Sequence, residues 1–196
     1  MNNNLYIDYL NSLHNYNAQN ENAYGERNID NPFFKDVMVR VGLCDYINEN
    51  LTVKEPHILI LTGHAGDGKT SIMYQVLTDM GAEFATKEKL SEITLPNGAQ
   101  CLCVKDFSEI PEEEQVNQID RINVLKKSVD MVRNGNYVFM VANTGPLINI
   151  FGELFDTNDN KEKSRIQLIN MMDNNDGDIN YIQDVPLCVI NVATVD

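Results

Sequence analysis

Apolar positions along this chain recur with two periods, and the changes of period mark its elements. Ile58-Leu59-Ile60-Leu61 is apolar at every position, which a strand requires when both faces of its sheet are covered. Cys101-Leu102-Cys103-Val104, Tyr137-Val138-Phe139-Met140-Val141-Ala142 and Pro186-Leu187-Cys188-Val189-Ile190-Asn191-Val192 repeat the pattern. Between these runs the spacing turns helical. A helix is expected over 69–80, with Ile72, Val76 and Leu77 on one side and Gly81 as its stop. A longer one is expected to open at Pro111 and Glu112-Glu113-Glu114, run through Ile119, Ile122, Leu125, Val129 and Val132, and end at Asn134-Gly135. Its acids suit the N-terminal dipole, and Lys126, Lys127 and Arg133 suit the other end. Helical material follows over 146–155 and 161–173, with polar loops over 156–161 and 173–180. Pro96-Asn97-Gly98 reads as a turn, pairing Ile93-Leu95 with the strand at Cys101 as a hairpin.

Upstream, Leu5, Tyr9, Leu10 and Leu13 suggest a short helix, and 15–31 reads as loop. Pro32 marks the start of an amphipathic helix carrying Phe33, Phe34, Val37, Met38, Val41, Cys44 and Ile47. Strands alternating with helices predict an α/β domain. The expected architecture is a three-layer sandwich around a mainly parallel sheet with right-handed connections. A helical N-terminal segment would occupy 1–55 and the α/β domain 56–196. The chain ends directly after its last strand, so the expectation is the N-terminal part of a longer protein.

Composition narrows the functions. The chain has 196 residues, enough for one medium domain, with 43% hydrophobic and 22% charged residues, a globular balance. Twenty-nine acids against fifteen Lys and Arg give a net charge of −14. That works against a broad phosphate-backbone interface, so any contact with DNA is expected only indirectly or through other subunits. No run of about 18 apolar residues exists, and a membrane partner is not expected. Met1-Asn2-Asn3-Asn4 lacks the basic and apolar regions of a signal peptide, which predicts a cytoplasmic protein. Cys44, Cys101, Cys103 and Cys188 form no C-x-x-C pair, and read as buried small hydrophobes in a reducing compartment.

The chemistry concentrates after the first buried strand. Gly63-His64-Ala65-Gly66-Asp67-Gly68-Lys69-Thr70 matches the pattern G-x-x-x-x-G-K-[ST], a phosphate-binding P-loop. A loop that wraps phosphates with backbone N–H groups needs glycine wherever a Cβ would obstruct, and Gly63, Gly66 and Gly68 supply it. Lys69 would reach the β- and γ-phosphates, the Thr70 hydroxyl would ligate Mg²⁺, and Ser71 continues the first helical turn. The helix dipole adds to the attraction. His64 and Ala65 occupy variable positions. Asp67 brings a negative charge beside the phosphates, and its carboxylate is expected to turn to solvent or to a backbone donor. The expected ligands are therefore ATP and Mg²⁺.

Hydrolysis also needs an acid for the metal's water shell and a group that orients water. The metal-holding Asp normally ends a buried strand next to the P-loop strand. Asp106, after Cys101–Val104 and Lys105, is the candidate, and Glu109 is the candidate base. The alternative is that Asp106 and Ser108 cap the next helix. Asn143 ends the third strand, where ATPases of the additional-strand class carry a polar γ-phosphate sensor; it would otherwise form a turn with Thr144-Gly145 into a helix. Asp173-Asn174-Asn175-Asp176-Gly177 fails as an EF-hand, since a glycine at position six places Met172 at position one. Asp120-Arg121 reads as a solvated pair within a helix.

Leu61 through Thr70, Lys105-Asp106-Phe107-Ser108-Glu109 and Val141-Ala142-Asn143-Thr144-Gly145-Pro146-Leu147 together resemble the ATPase subunit of DNA-phosphorothioation-dependent restriction systems, the DptF type. That family has a G-D-G-K loop, a D-x-S-E element and an A-N-T-G strand end in this order, and the resemblance covers about 57–150. It implies a bacterial defence ATPase acting with nuclease or helicase partners, and a homo-oligomer is a further possible assembly. Three rivals remain. A small-molecule or nucleotide kinase would need an Arg-rich lid, a STAND-like switch would bind nucleotide and turn it over slowly, and a relic P-loop would bind none.

Overall fold

In the computed structural model, residues 41–64, 66–82, 88–113, 119–155 and 157–194 are described, together with Leu5 and Phe33. Apart from these two residues, the proposed helix at 5–13 and the first part of that at 32–47 lie outside the described residues. Packing divides the chain into compact units of residues 1–42 and 43–196. The second carries every strand described. Among the described residues, no helix is long and apolar enough to cross a membrane.

Six strands form one mixed sheet: β1 (Ile58–Thr62), β2 (Leu90–Thr94), β3 (Gln100–Val104), β4 (Tyr137–Val141), β5 (Ile179–Ile182) and β6 (Val185–Asn191). Their spatial order is β2-β3-β4-β1-β6-β5. The inner four are parallel, and β2 and β5 pair antiparallel at the two edges. Five helices are described: α1 (Gly42–Thr52), α2 (Lys69–Asp79), α3 (Arg121–Arg133), α4 (Thr144–Phe151) and α5 (Asn158–Asn174).

The strand alternation sorts side chains into two cores. Leu59, Leu61, Cys101, Cys103, Phe139 and Cys188 join Cys44, Ile47 and Leu51 of α1 and Met73, Val76 and Leu77 of α2. Ile58, Ile60, Leu102, Val104, Val138 and Met140 join α3, α4 and α5 through residues such as Val124, Phe151 and Leu168. Both faces of the inner strands are thus covered, which is why β1 and β4 are apolar at consecutive positions. The arrangement is compatible with a three-layer sandwich. All four cysteines are buried inside one of these cores, and burial pushes the Cys188 thiol up to about 11.

Five expectations need correction. The helix expected from Pro111 does not start there: residues 111–113 are not helical, 114–118 lie outside the described residues, and α3 starts at Arg121, where the Asp120 carboxylate caps it by accepting from Asn123 N at 2.8 Å. Asp120 is therefore a buried cap and not half of a solvated pair. The loop expected over 156–161 contains the first turns of α5, capped by the Thr157 hydroxyl at 3.2 Å from Asn160 N. The loop expected over 173–180 gives way to β5, whose hairpin to β6 turns through Gln183 and Asp184, both at positive φ (49° and 66°) without glycine. Finally, β3 is not the neighbour of β1, since β4 stands between them.

His57, just before β1, is wholly buried. Its Nδ1 donates to the Glu55 carbonyl at 2.7 Å, its ring meets Tyr137 edge-on at 6.0 Å, and no partner is found for Nε2. Burial lowers its pKa from 6.5, so the fold keeps the neutral ring. The unfolded chain takes up this proton near pH 6.5 and the fold only at lower pH. This contribution to stability is complete above that value and is lost as the pH falls through the window beneath it. Urea midpoints are expected to drop from neutral to mildly acidic buffer, and His57→Gln to drop less over the same interval. Equal pH slopes for the two proteins would refute this assignment.

Candidate functional site

Parallel strands leave their carboxyl ends facing one edge of the sheet, the place where open α/β sheets bind ligands. Here that edge carries Thr62 at the end of β1 and Gly63 after it, Asp106 after β3, Asn143 after β4 and Asn191 at the end of β6. The register pairs Thr62 with Asn191, Leu61 with Val141 and Met140 with Val104. The order of the strands thus brings three separate sequence motifs to one edge.

The loop after β1 departs from ordinary backbone at each of its glycines. Gly63 has φ of 146°, and a Cβ there would stand 2.7 Å from the Asp67 carboxylate. Gly68, the residue before α2, is left-handed at φ 75°. No side chain caps α2, so the first amides of the helix keep their unmet donor capacity. Thr70 and Ser71 sit half-buried in this first turn. Ala65 lies outside the described residues.

Charge inside the loop is arranged around the His64 peptide. Asp67 Oδ2 accepts from His64 N at 2.6 Å, so the carboxylate turns to a backbone donor and staples the loop across four residues. The exposed His64 ring lies 3.8 Å from the same oxygen. Lys69 is buried, and its ammonium donates to the His64 carbonyl. Burial lowers the pKa of Lys69, while the carboxylates of Asp67 and Asp106 act in the opposite direction. An ammonium kept from water in this way gains most from an anion.

The segment after β3 tightens into a single 3₁₀ turn, Phe107–Glu109. Asp106 Oδ1 caps it, accepting from Ser108 N at 2.8 Å. Phe107 is fully buried beneath the turn. Glu109 turns away: its carboxylate is 3.6 Å from Lys89 Nζ, and the same ammonium donates to its carbonyl at 2.8 Å. Lys89 immediately precedes the edge strand β2. The candidate base is therefore held at the sheet edge by an exposed ion pair.

Asn143 occupies the cap position of α4, yet its side chain makes no cap hydrogen bond. Its backbone N–H instead donates to Ser108 Oγ at 3.1 Å. The neighbouring Thr144 hydroxyl meets that of Thr62 at 3.1 Å, joining the ends of β4 and β1. Two further links were not anticipated from sequence. Arg121 donates to the Ser108 carbonyl at 2.5 Å and to Glu112 at 2.7 Å, and Asn175 exchanges hydrogen bonds with the backbone of Asn191 at 2.7 and 3.2 Å. Asn175 is left-handed at the end of α5, a role open to an Asn-rich turn. From sequence Arg121 reads as a solvated residue, because its partners lie 9 and 13 residues away.

No family model, curated protein or solved structure matches this chain.

Proposed function

We propose that this chain is a P-loop NTPase domain that binds Mg-ATP and hydrolyses it. The observation that carries the reading is the buried Lys69 ammonium, set at the start of an uncapped helix in a loop of three positive-φ glycines. A polyanion answers both the desolvated cation and the free helix-end amides. The loop amides and Lys69 would hold the phosphates.

Mg²⁺ prefers one or two protein oxygens together with phosphate oxygens and water, not an all-protein cage. Among the described residues no group of three or more His, Cys, Asp or Glu could hold a metal unaided. Thr70 in the first turn of α2 and Asp106, whose charge acts on Lys69, fit the sparser requirement. Bound there, the ion would offset charge on the transferring phosphoryl group. Asn143, with no cap bond to make, is available as a sensor. The likeness to restriction-system ATPase subunits extends the proposal to a bacterial DNA-defence role with nuclease or helicase partners.

A second reading rests on Glu109. With its carboxylate 3.6 Å from Lys89 Nζ, the candidate base is engaged at the sheet edge, which favours a STAND-like switch that turns over slowly. Binding and turnover of Mg-ATP by the purified chain, with and without double-stranded DNA, separate the two. Steady hydrolysis is expected, and stimulation by DNA would support the defence role. Tight binding with negligible turnover would favour the switch. Absence of binding at millimolar nucleotide would sink both.

A further inference from the structure

Resting on the nucleotide-site reading, we infer that Ser108 is a positioning residue: it locks the Asp106 carboxylate to the end of β4, and Arg121 holds it in place. Ser108 uses three separate groups for this. Its N–H donates to Asp106 Oδ1 at 2.8 Å, its hydroxyl accepts from Asn143 N at 3.1 Å, and its carbonyl accepts from Arg121 Nη2 at 2.5 Å.

The position of these bonds gives them their effect. The β3–β4 ladder ends at the pair Val104 and Met140, and Ala142 N is still bonded to Leu61 on β1. Asn143 N is the next donor along β4, and it turns sideways to Ser108. The serine hydroxyl thus extends the coupling of β3 and β4 beyond their last backbone pair, at the level where Asp106 and Asn143 stand. Because Oδ1 of Asp106 is committed to Ser108 N, Oδ2 is the oxygen left for a cation. A small displacement of Ser108 would move the Asp106 carboxylate and the Asn143 backbone together.

Arg121 explains why the serine stays. Its side chain is only 12% exposed and its Nε is buried without a partner. The guanidinium spans the Ser108 carbonyl and Glu112, while the backbone N–H of Arg121 donates to the Pro111 carbonyl at 3.0 Å. The start of α3 is thereby tied to the turn that carries Asp106. Groups that orient a metal ligand typically cost about ten- to a hundredfold in metal affinity or activity when removed.

The test titrates a fluorescent ATP analogue, in EDTA and in Mg²⁺, against wild type, Ser108→Ala, Ser108→Thr and Arg121→Ala, alongside kcat and KM. Thermal melting confirms that each variant is folded. Ser108→Ala should bind as wild type does in EDTA. It should lose about ten- to a hundredfold of the gain that Mg²⁺ confers, and a similar factor in kcat with little change in KM. Ser108→Thr should restore both, and Arg121→Ala should shift them in the same direction as Ser108→Ala. If Ser108→Ala matches wild type in Mg²⁺, or if the threonine fails to rescue, the positioning role is wrong while the nucleotide site stands. If wild type binds no nucleotide in either buffer, the underlying reading falls and takes this inference with it.

Discussion

Lys69→Ala is expected to weaken Mg-ATP binding by about 1.5–3 kcal/mol, the worth of a hydrogen bond to a charged group. That is roughly ten- to over a hundredfold in Kd. Turnover should fall further, by about two to three orders of magnitude, as when a donor aimed at developing charge is removed. The argument is electrostatic. The ammonium is buried and donates to the His64 carbonyl, while burial presses its pKa down. A phosphate offers it a full negative charge. The substitution should leave the fold intact, because Ala is the best helix former and the lost ammonium was paying for its own desolvation. Isothermal titration and a phosphate-release assay on a variant with wild-type melting behaviour would check it. Unaltered affinity would show that Lys69 does not face the ligand.

The second large effect is on stability. Phe107→Ala should cost about 3–5 kcal/mol, the usual range for emptying a buried aromatic site. That is a large share of the roughly 5–15 kcal/mol that holds a domain together. Phe107 is fully buried and belongs to the same core as Val104, Ile110, Val124 and Leu125. It also lies directly between Asp106 and Ser108, so its loss removes the anchor of the turn. A denaturation midpoint well below wild type, with nucleotide affinity in Mg²⁺ reduced beyond that in EDTA, is the expected pair of results. Leu51→Ala in α1, where Leu51 is also fully buried, supplies the comparison: about 2–5 kcal/mol of stability with the Mg²⁺ response unaltered. If the two variants behave alike at the site, Phe107 is only core.

Sequence alone determined the parts whose physics is local. Four short apolar runs read as strands covered on both faces, and β1, β3, β4 and β6 fall on them. The glycine loop was legible because close backbone approach and positive φ restrict residue choice, and Gly63, Gly66 and Gly68 do take positive φ. The end of α3 at Gly135 and the turn at Gly98 were readable for the same reason. Where the local signal was silent or misleading, only the tertiary structure decided. Three glutamates after Pro111 suit a helix start, but residues 111–113 are not helical and α3 starts at Arg121 behind the Asp120 cap. The β5–β6 turn places Gln183 and Asp184 at positive φ, with no glycine to mark it.

The candidate site divides in the same way. Its residue types were visible: a lysine after glycines, an acid after one strand, an asparagine after another. Their convergence was not, because an apolar run records that a strand is buried and says nothing about which strand lies beside it. Placing β4 between β1 and β3 sets Asn143 beside Asp106, turns its N–H onto Ser108 and leaves Glu109 facing Lys89 at the outer edge. Those outcomes depend on pairings between segments tens of residues apart, whose free energy belongs to the packed sheet and to no single stretch of chain.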